Sequence, residues 1–103
     1  MTSFKKAVEN LRPQLVEIGS NEAFFEANGE YGDPETREEN LEHAKGYMRE
    51  FTAMKATMTA IFPNIDSEKV HKALFDIYFD SWITDKIKFK ERIQSLYSED
   101  TSV

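Results

Sequence analysis

Few residues of this sequence are suited to catalysis or metal binding, and the two histidines are the first candidates because an imidazole can transfer protons and bind metal ions. His71 follows Glu68 at Glu-x-x-His spacing, which di-iron helical bundles use because side chains three residues apart project together from a helix. Such a site needs a second copy of the motif, and Glu39 with His43 matches it only loosely. We therefore expect no metal ligands and no cofactor.

A catalytic nucleophile is also hard to find. The chain has no cysteine, so a thiol nucleophile, a disulfide and a zinc–thiolate site are excluded. The serines lack the Gly-x-Ser-x-Gly context of a nucleophile elbow, and two histidines would have to serve every proton transfer. We predict no catalytic residues and no enzyme activity.

Carboxylates are the most abundant charged groups between residues 22 and 42, where Arg37 is the only arginine. Carboxylates arrayed on helices can imitate the phosphates of a nucleic acid and occupy a cationic groove. An ordinary solvated face is the stronger interpretation of these carboxylates, because acidic residues are expected at a helix start. The candidate acidic face for a protein partner consists of Glu22, Glu26, Glu30, Asp33, Glu35, Glu38, Glu39 and Glu42.

The segment from Lys86 to Arg92 alternates basic and apolar residues, as some nucleic-acid-binding elements do. On a helix Phe89 would lie on the buried face, whereas the lysines would point into solvent. Asp85 and Glu91 reduce the net positive charge of this segment. The formal net charge of −6 disfavours contact with phosphates. We therefore expect a protein partner and no direct nucleic-acid contact.

Composition indicates one small helical domain. A chain of 103 residues with 40% hydrophobic residues can form one core, so residues 1–103 are read as a single domain. Every apolar pattern has helical period, which predicts an all-α fold. No window approaches the ~20 apolar residues of a membrane span, and the start of the chain is charged. We expect a cytoplasmic protein with no membrane contact.

The apolar pattern predicts a bundle of three long helices plus one short helix. The first runs from Phe4 and stops at Gly19, with Pro13 as a kink or a restart. A short helix spans residues 22–28, and a loop follows from Gly29 to Asp33.

The second long helix is predicted from Pro34 to about Phe62, because Asp33 can cap it and Pro34 fits its first position. The third, capped by Asp66 or Ser67, runs from Ser67 to about residue 98, as one helix with a possible kink or with a break near Thr84 and Asp85. A short connection makes helices two and three an antiparallel hairpin. Residues 99–103 are predicted to be a frayed tail.

Small residues on the late half of helix two carry the functional prediction. They lie opposite its main apolar stripe, so we expect two faces of this half of the helix to be buried against neighbouring helices. A three-helix monomer requires only one buried face. We predict a non-catalytic interaction or regulatory protein, acting as a homodimer on another macromolecule. One alternative is an acidic inhibitor or nucleic-acid mimic that blocks a nucleic-acid-binding protein. Another is a small-molecule sensor with a pocket between aromatic residues such as Phe51, Phe75, Tyr78 and Trp82. The predicted self-association residues are Ala53, Ala56, Thr57 and Ala60.

Overall fold

The computed structural model describes residues 2–101, which are almost entirely helical and contain no strand. Helix α1 spans Phe4–Tyr31, a 3-10 turn spans Pro34–Thr36, α2 spans Arg37–Ile61 and α3 spans Ser67–Thr101. The all-α prediction is confirmed. The predicted number of helices is wrong, because the described chain forms three helices and no separate short one.

Helix α1 continues through the stop predicted at Gly19 and absorbs the predicted short helix. Gly19 is buried with a negative φ, so it does not adopt the left-handed conformation of a helix end. Ala23 and Ala27 are fully buried beyond it, and their burial favours continuing the helix. Gly29 also lies inside α1, so the predicted loop begins only at Gly32.

The starts of the other helices follow the predicted signals closely. Asp33 accepts a hydrogen bond from the backbone N–H of Glu35 at 3.0 Å, so it caps a turn that begins at Pro34. That turn is a 3-10 helix, and α2 proper begins three residues later, at Arg37. Asp66 caps α3 through the N–H of Glu68 at 3.0 Å. Helix α3 is one uninterrupted helix, and Ser102 and Val103 of the predicted tail lie outside the described residues.

Helix α1 is the centre of the bundle, because it packs along both α2 and α3. Successive residues of α1 contact residues of α3 in the same order along the sequence, so these two helices are parallel. Helix α2 runs back beside α1, with Tyr47 stacked on Phe25 near one end and Met58 beside Leu11 near the other. Helices α2 and α3 touch over a short stretch, where Phe51 stacks on Tyr78 with ring centroids 4.6 Å apart.

The core draws residues from all three helices, as Leu15, Met58, Val70 and Leu74 show with 3% exposure or less. The bundle is a rod of 61 × 21 × 18 Å. Helix α3 has 35 residues and α1 has 28, and the C-terminal end of α3 extends past the end of α1. Lys90 Nζ lies 5.2 Å from the ring centre of Tyr31, the last residue of α1, and Ile93 is still buried, so the extension begins after Ile93.

Candidate functional site

Three carboxylates of α1 face three donors of α3, and we name this set the α1–α3 ladder. Each member follows the previous one by four residues, which keeps the side chains on one face of each helix. The contacting pairs Glu22 with Tyr78, Glu26 with Trp82 and Glu30 with Lys86 are each 56 positions apart.

Glu22 is the most buried charged group of the described chain, with 2% of its surface exposed. Its Oε1 accepts a hydrogen bond from the Tyr78 hydroxyl at 2.6 Å. Burial raises the pKa of Glu22 to about 7, although the Tyr78 hydrogen bond opposes the shift and the nearby Glu26 adds to it. Burial, followed by the contact with Glu22, raises the pKa of Tyr78 above its ordinary value. Glu22 is thus an interior carboxyl that holds a proton near neutral pH.

Glu26 and Glu30 share one cation of α3. Glu26 accepts hydrogen bonds from Trp82 Nε1 and from Lys86 Nζ, both at 3.0 Å, and Glu30 accepts one from Lys86 Nζ at 3.2 Å. Burial lowers the pKa of Lys86, but the hydrogen bonds and charges of Glu26 and Glu30 outweigh it and leave this pKa raised. Lys86 Nζ also lies 5.2 Å from the centre of the Trp82 ring.

Close approach of the two backbones positions the α1–α3 ladder. A Cβ atom on Gly19 would lie 2.5 Å from the carbonyl oxygen of Tyr78 and 3.0 Å from the backbone nitrogen of Trp82. The Ser81 hydroxyl donates to the carbonyl oxygen of Val16 at 2.7 Å, and the Ser20 hydroxyl donates to Asp85. These contacts hold α1 and α3 in one register.

The structure therefore divides the predicted acidic face into two groups. Glu22, Glu26 and Glu30 point toward α3 and bind its donors. Asp33, Glu35 and Glu38 are exposed at the turn and the start of α2. The remaining two are exposed beside side chains of their own helix: Glu39 lies 4.0 Å from His43, and Glu42 lies 3.8 Å from the cation of Lys45 and 3.7 Å from that of Arg49.

An open groove runs between α1 and α2, and we name it the α1–α2 groove. It consists of two cavities of about 830 and 410 Å³ that share Gln14 and Met54. Its apolar lining includes Ala7, Leu11, Met54, Met58, Ile61 and Ile65. Glu17 and Glu50 line its other end, are exposed and form no ion pair with a described residue.

The four predicted self-association residues are all exposed on α2. Ala53 and Thr57 line the α1–α2 groove, one turn apart. Ala56 and Ala60 are not among the residues that line it. Ile61, which is 60% exposed, adds a large apolar side chain to the same groove.

The aromatic residues considered for a sensor pocket pack against one another or against neighbouring aromatic rings. Phe51 lies 4.6 Å from Tyr78 and 6.4 Å from Phe75, measured between ring centroids. Trp82 joins this group through Phe79, whose ring lies 5.7 Å away.

The histidines lie apart from one another, on α2 and α3. His43 packs on Phe25, with ring centroids 4.8 Å apart. His71 lies beside Phe51 and Phe75, and its Nδ1 is buried without a hydrogen-bond partner. Within the described residues, no group of three or more histidine or carboxylate side chains is arranged to hold a metal ion.

Comparison with protein-family models, with curated proteins and with solved structures finds no significant match to this chain. None of the helices, over the residues that the structure describes, has both the length and the apolar character needed to span a bilayer.

Proposed function

We propose that this chain is a non-catalytic interaction protein that pairs with a second copy of itself through the α1–α2 groove. The observation that carries the proposal is the groove itself, which leaves apolar side chains of two helices uncovered along a shared channel. Grooves between helices bind an amphipathic helix by covering such side chains. The dimer then acts by binding another macromolecule.

Two features support a second copy as the occupant. Glu17 and Glu50 at the groove form no ion pair, while Lys88 and Arg92 on α3 are exposed and likewise form no ion pair with a described residue. One copy therefore carries both halves of a charge-complementary contact. Closed two-fold dimers are also the commonest small assemblies, because one patch then satisfies both copies.

The acidic mimic receives less support from the positions of its residues. Three of the eight carboxylates, Glu22, Glu26 and Glu30, are bound to donors of α3. Glu42 is near two cations of its own helix, which makes the electrostatic potential around it less negative toward a basic partner. The sensor is less supported as well, because the aromatic rings pack on one another.

The test replaces both small residues that line the groove with glutamate, in the variant Ala53→Glu with Thr57→Glu. Burying these charges in a dimer contact costs about 1 to 3 kcal/mol per site, so the variant is expected to be monomeric. Both positions are exposed in one copy, so helicity by circular dichroism is expected to match the wild type. Sedimentation equilibrium measures the association.

The matched control is Ala56→Glu with Ala60→Glu, which adds the same charge to the same helix outside the groove lining. This control is expected to stay dimeric. Equal dissociation of both variants would indicate general charge repulsion, and equal dimerisation of both would exclude the groove as the contact.

A further inference from the structure

Helix α3 packs on α2 near its start and on α1 further along. The ring contacts that the structure describes between α2 and α3 join Phe51 to Tyr78 or to earlier residues of α3. Beyond Tyr78, Phe89 packs on Phe24 of α1 with ring centroids 5.4 Å apart, and the α1–α3 ladder supplies the polar contacts. We name residues 79–97 of α3 the α3 arm. Its docking on α1 depends on the side chains of the ladder.

The buried carboxyl of Glu22 lies at the root of the α3 arm. It is 2% exposed and accepts the Tyr78 hydroxyl bond at 2.6 Å. Lys86 is the ammonium of the ladder, and it lies 3.0 Å from Glu26 and 3.2 Å from Glu30. Two ionised carboxylates therefore share one ammonium while Glu22 keeps its proton. Ionisation of Glu22 adds a third carboxylate to the same ammonium.

The folded ladder has no counter-ion for an ionised Glu22. Glu22 and Glu30 are two turns apart on α1, about 12 Å at 1.5 Å per residue, so Lys86 cannot bind both. Water has little space at this level, because a Cβ atom on Gly19 would already lie 2.5 Å from the carbonyl oxygen of Tyr78. A buried charge without a partner is unfavourable. Ionisation therefore favours a separation of α1 and α3 that lets water reach Glu22.

We propose that Glu22 is a proton-operated latch, which docks the α3 arm on α1 when it is protonated and releases the arm when it is ionised. Tyr78 is the joint, because its hydroxyl contacts Glu22 while its ring stacks on Phe51 of α2. The latch belongs to one copy of the chain, so it does not depend on self-association.

Groups on every neighbouring helix surround the latch. Burial raises the pKa of Glu22 from 4.5 to about 7, the Tyr78 hydrogen bond lowers it, Glu26 raises it and Lys86 lowers it. The other titratable side chains near Glu22, Tyr78 and Phe51 are Glu17 of α1, His43, Tyr47 and Glu50 of α2, and His71 and Asp85 of α3. The two histidines also exchange protons near neutral pH, so the experiment must separate them from Glu22.

Hydrogen exchange of the Trp82 indole N–H measures the docking of the arm. Trp82 is the only tryptophan, and its Nε1 donates to Glu26 at 3.0 Å, so this N–H is protected while the arm is docked. The equilibrium constant for opening should rise about tenfold per pH unit between pH 4.5 and 7, which is about 300-fold in all. After correction for the intrinsic rate, exchange measured by NMR should accelerate by up to that factor and level off above pH 7.

Two variants of the latch and two controls assign this profile. Glu22→Gln keeps the size of the protonated carboxyl but cannot ionise, so its corrected exchange rate should not change with pH. Tyr78→Phe keeps the ring on Phe51 and removes the hydroxyl that lowers the pKa of Glu22, so the levelling should move to higher pH. The controls His43→Phe and His71→Phe should keep the wild-type profile.

Backbone amides distinguish release of the arm from unfolding of the whole chain. At pH 7, amides of residues 79–90 should exchange at least about tenfold faster than those of residues 44–51 on α2, relative to their intrinsic rates. Equal protection of both segments would overturn the arm, since pH would then act only through complete unfolding. A wild-type profile that does not change with pH, or a Glu22→Gln profile equal to that of the wild type, would overturn the latch.

Discussion

The carboxylate of Glu22 accepts a hydrogen bond from the hydroxyl of Tyr78 at 2.6 Å, across the interface between α1 and α3. Glu22 is 2% exposed, and its burial raises its pKa from 4.5 to about 7. The folded protein thus binds this proton more tightly than the unfolded chain does. By linkage, the resulting stabilisation is complete below pH 4.5 and is lost as the pH rises to 7.

Replacing Glu22 with glutamine is expected to remove this pH dependence. The free energy of unfolding of the wild type falls by about 3 kcal/mol between pH 4.5 and pH 7 from this group alone. The free energy of unfolding of Glu22→Gln minus that of the wild type should therefore increase from pH 4.5 to pH 7, and the variant should be the more stable protein at pH 8. Urea unfolding at several pH values measures it, and parallel profiles would contradict a titrating interior Glu22.

Lys86 is expected to contribute more stability than a surface lysine with the same ion-pair distance. Lys86 lies 3.0 Å from Glu26 with 14% and 17% of the two side chains exposed, whereas Lys72 lies 3.0 Å from Asp76 with 76% and 62% exposed. Lys86→Met leaves two carboxylates without their cation and should cost about 2 to 4 kcal/mol. Lys72→Met should cost less than about 1 kcal/mol. Equal losses in chemical unfolding would refute a structural role for the α1–α3 ladder.

Two glycines of similar helical setting are expected to respond oppositely to alanine. Gly19→Ala places a Cβ atom 2.5 Å from the Tyr78 carbonyl oxygen, so α1 and α3 must separate, at a cost of about 1 to 3 kcal/mol. Gly46 has open space, with nothing within 4 Å of an added Cβ. Gly46→Ala should therefore stabilise the protein by about 0.5 to 1 kcal/mol. The thermal unfolding temperatures of both variants measure these effects. A Gly19→Ala variant that is more stable than the wild type would show that the backbones of α1 and α3 are not in close contact.

The sequence predicted the helical class, the α2–α3 connection and the ends of α2 well, because those features depend on local signals. Asp33, Pro34 and Asp66 act on residues within one turn of themselves, so no tertiary information is needed. The stop at Gly19 was wrong for the opposite reason. Whether a glycine ends a helix or admits a neighbouring backbone depends on Tyr78 and Trp82, which are distant in the chain.

The α1–α3 ladder was not predicted from the sequence, because charged residues on a helix usually lie in solvent. A usable signal existed: three carboxylates on α1 and three donors on α3 share the same four-residue spacing. Matching two such rows across 56 positions requires knowing that the helices are parallel. The α1–α2 groove could be anticipated only in part, since Ala53 and Thr57 marked α2 while the contribution of α1 depended on packing.

Sedimentation equilibrium of the wild-type protein over a wide range of concentration measures self-association through the α1–α2 groove, since it reports mass independently of the rod shape. We predict a reversible equilibrium that approaches twice the chain mass of 12.0 kDa at high concentration. A protein that keeps the mass of 12.0 kDa at the highest concentration would contradict self-association through the α1–α2 groove.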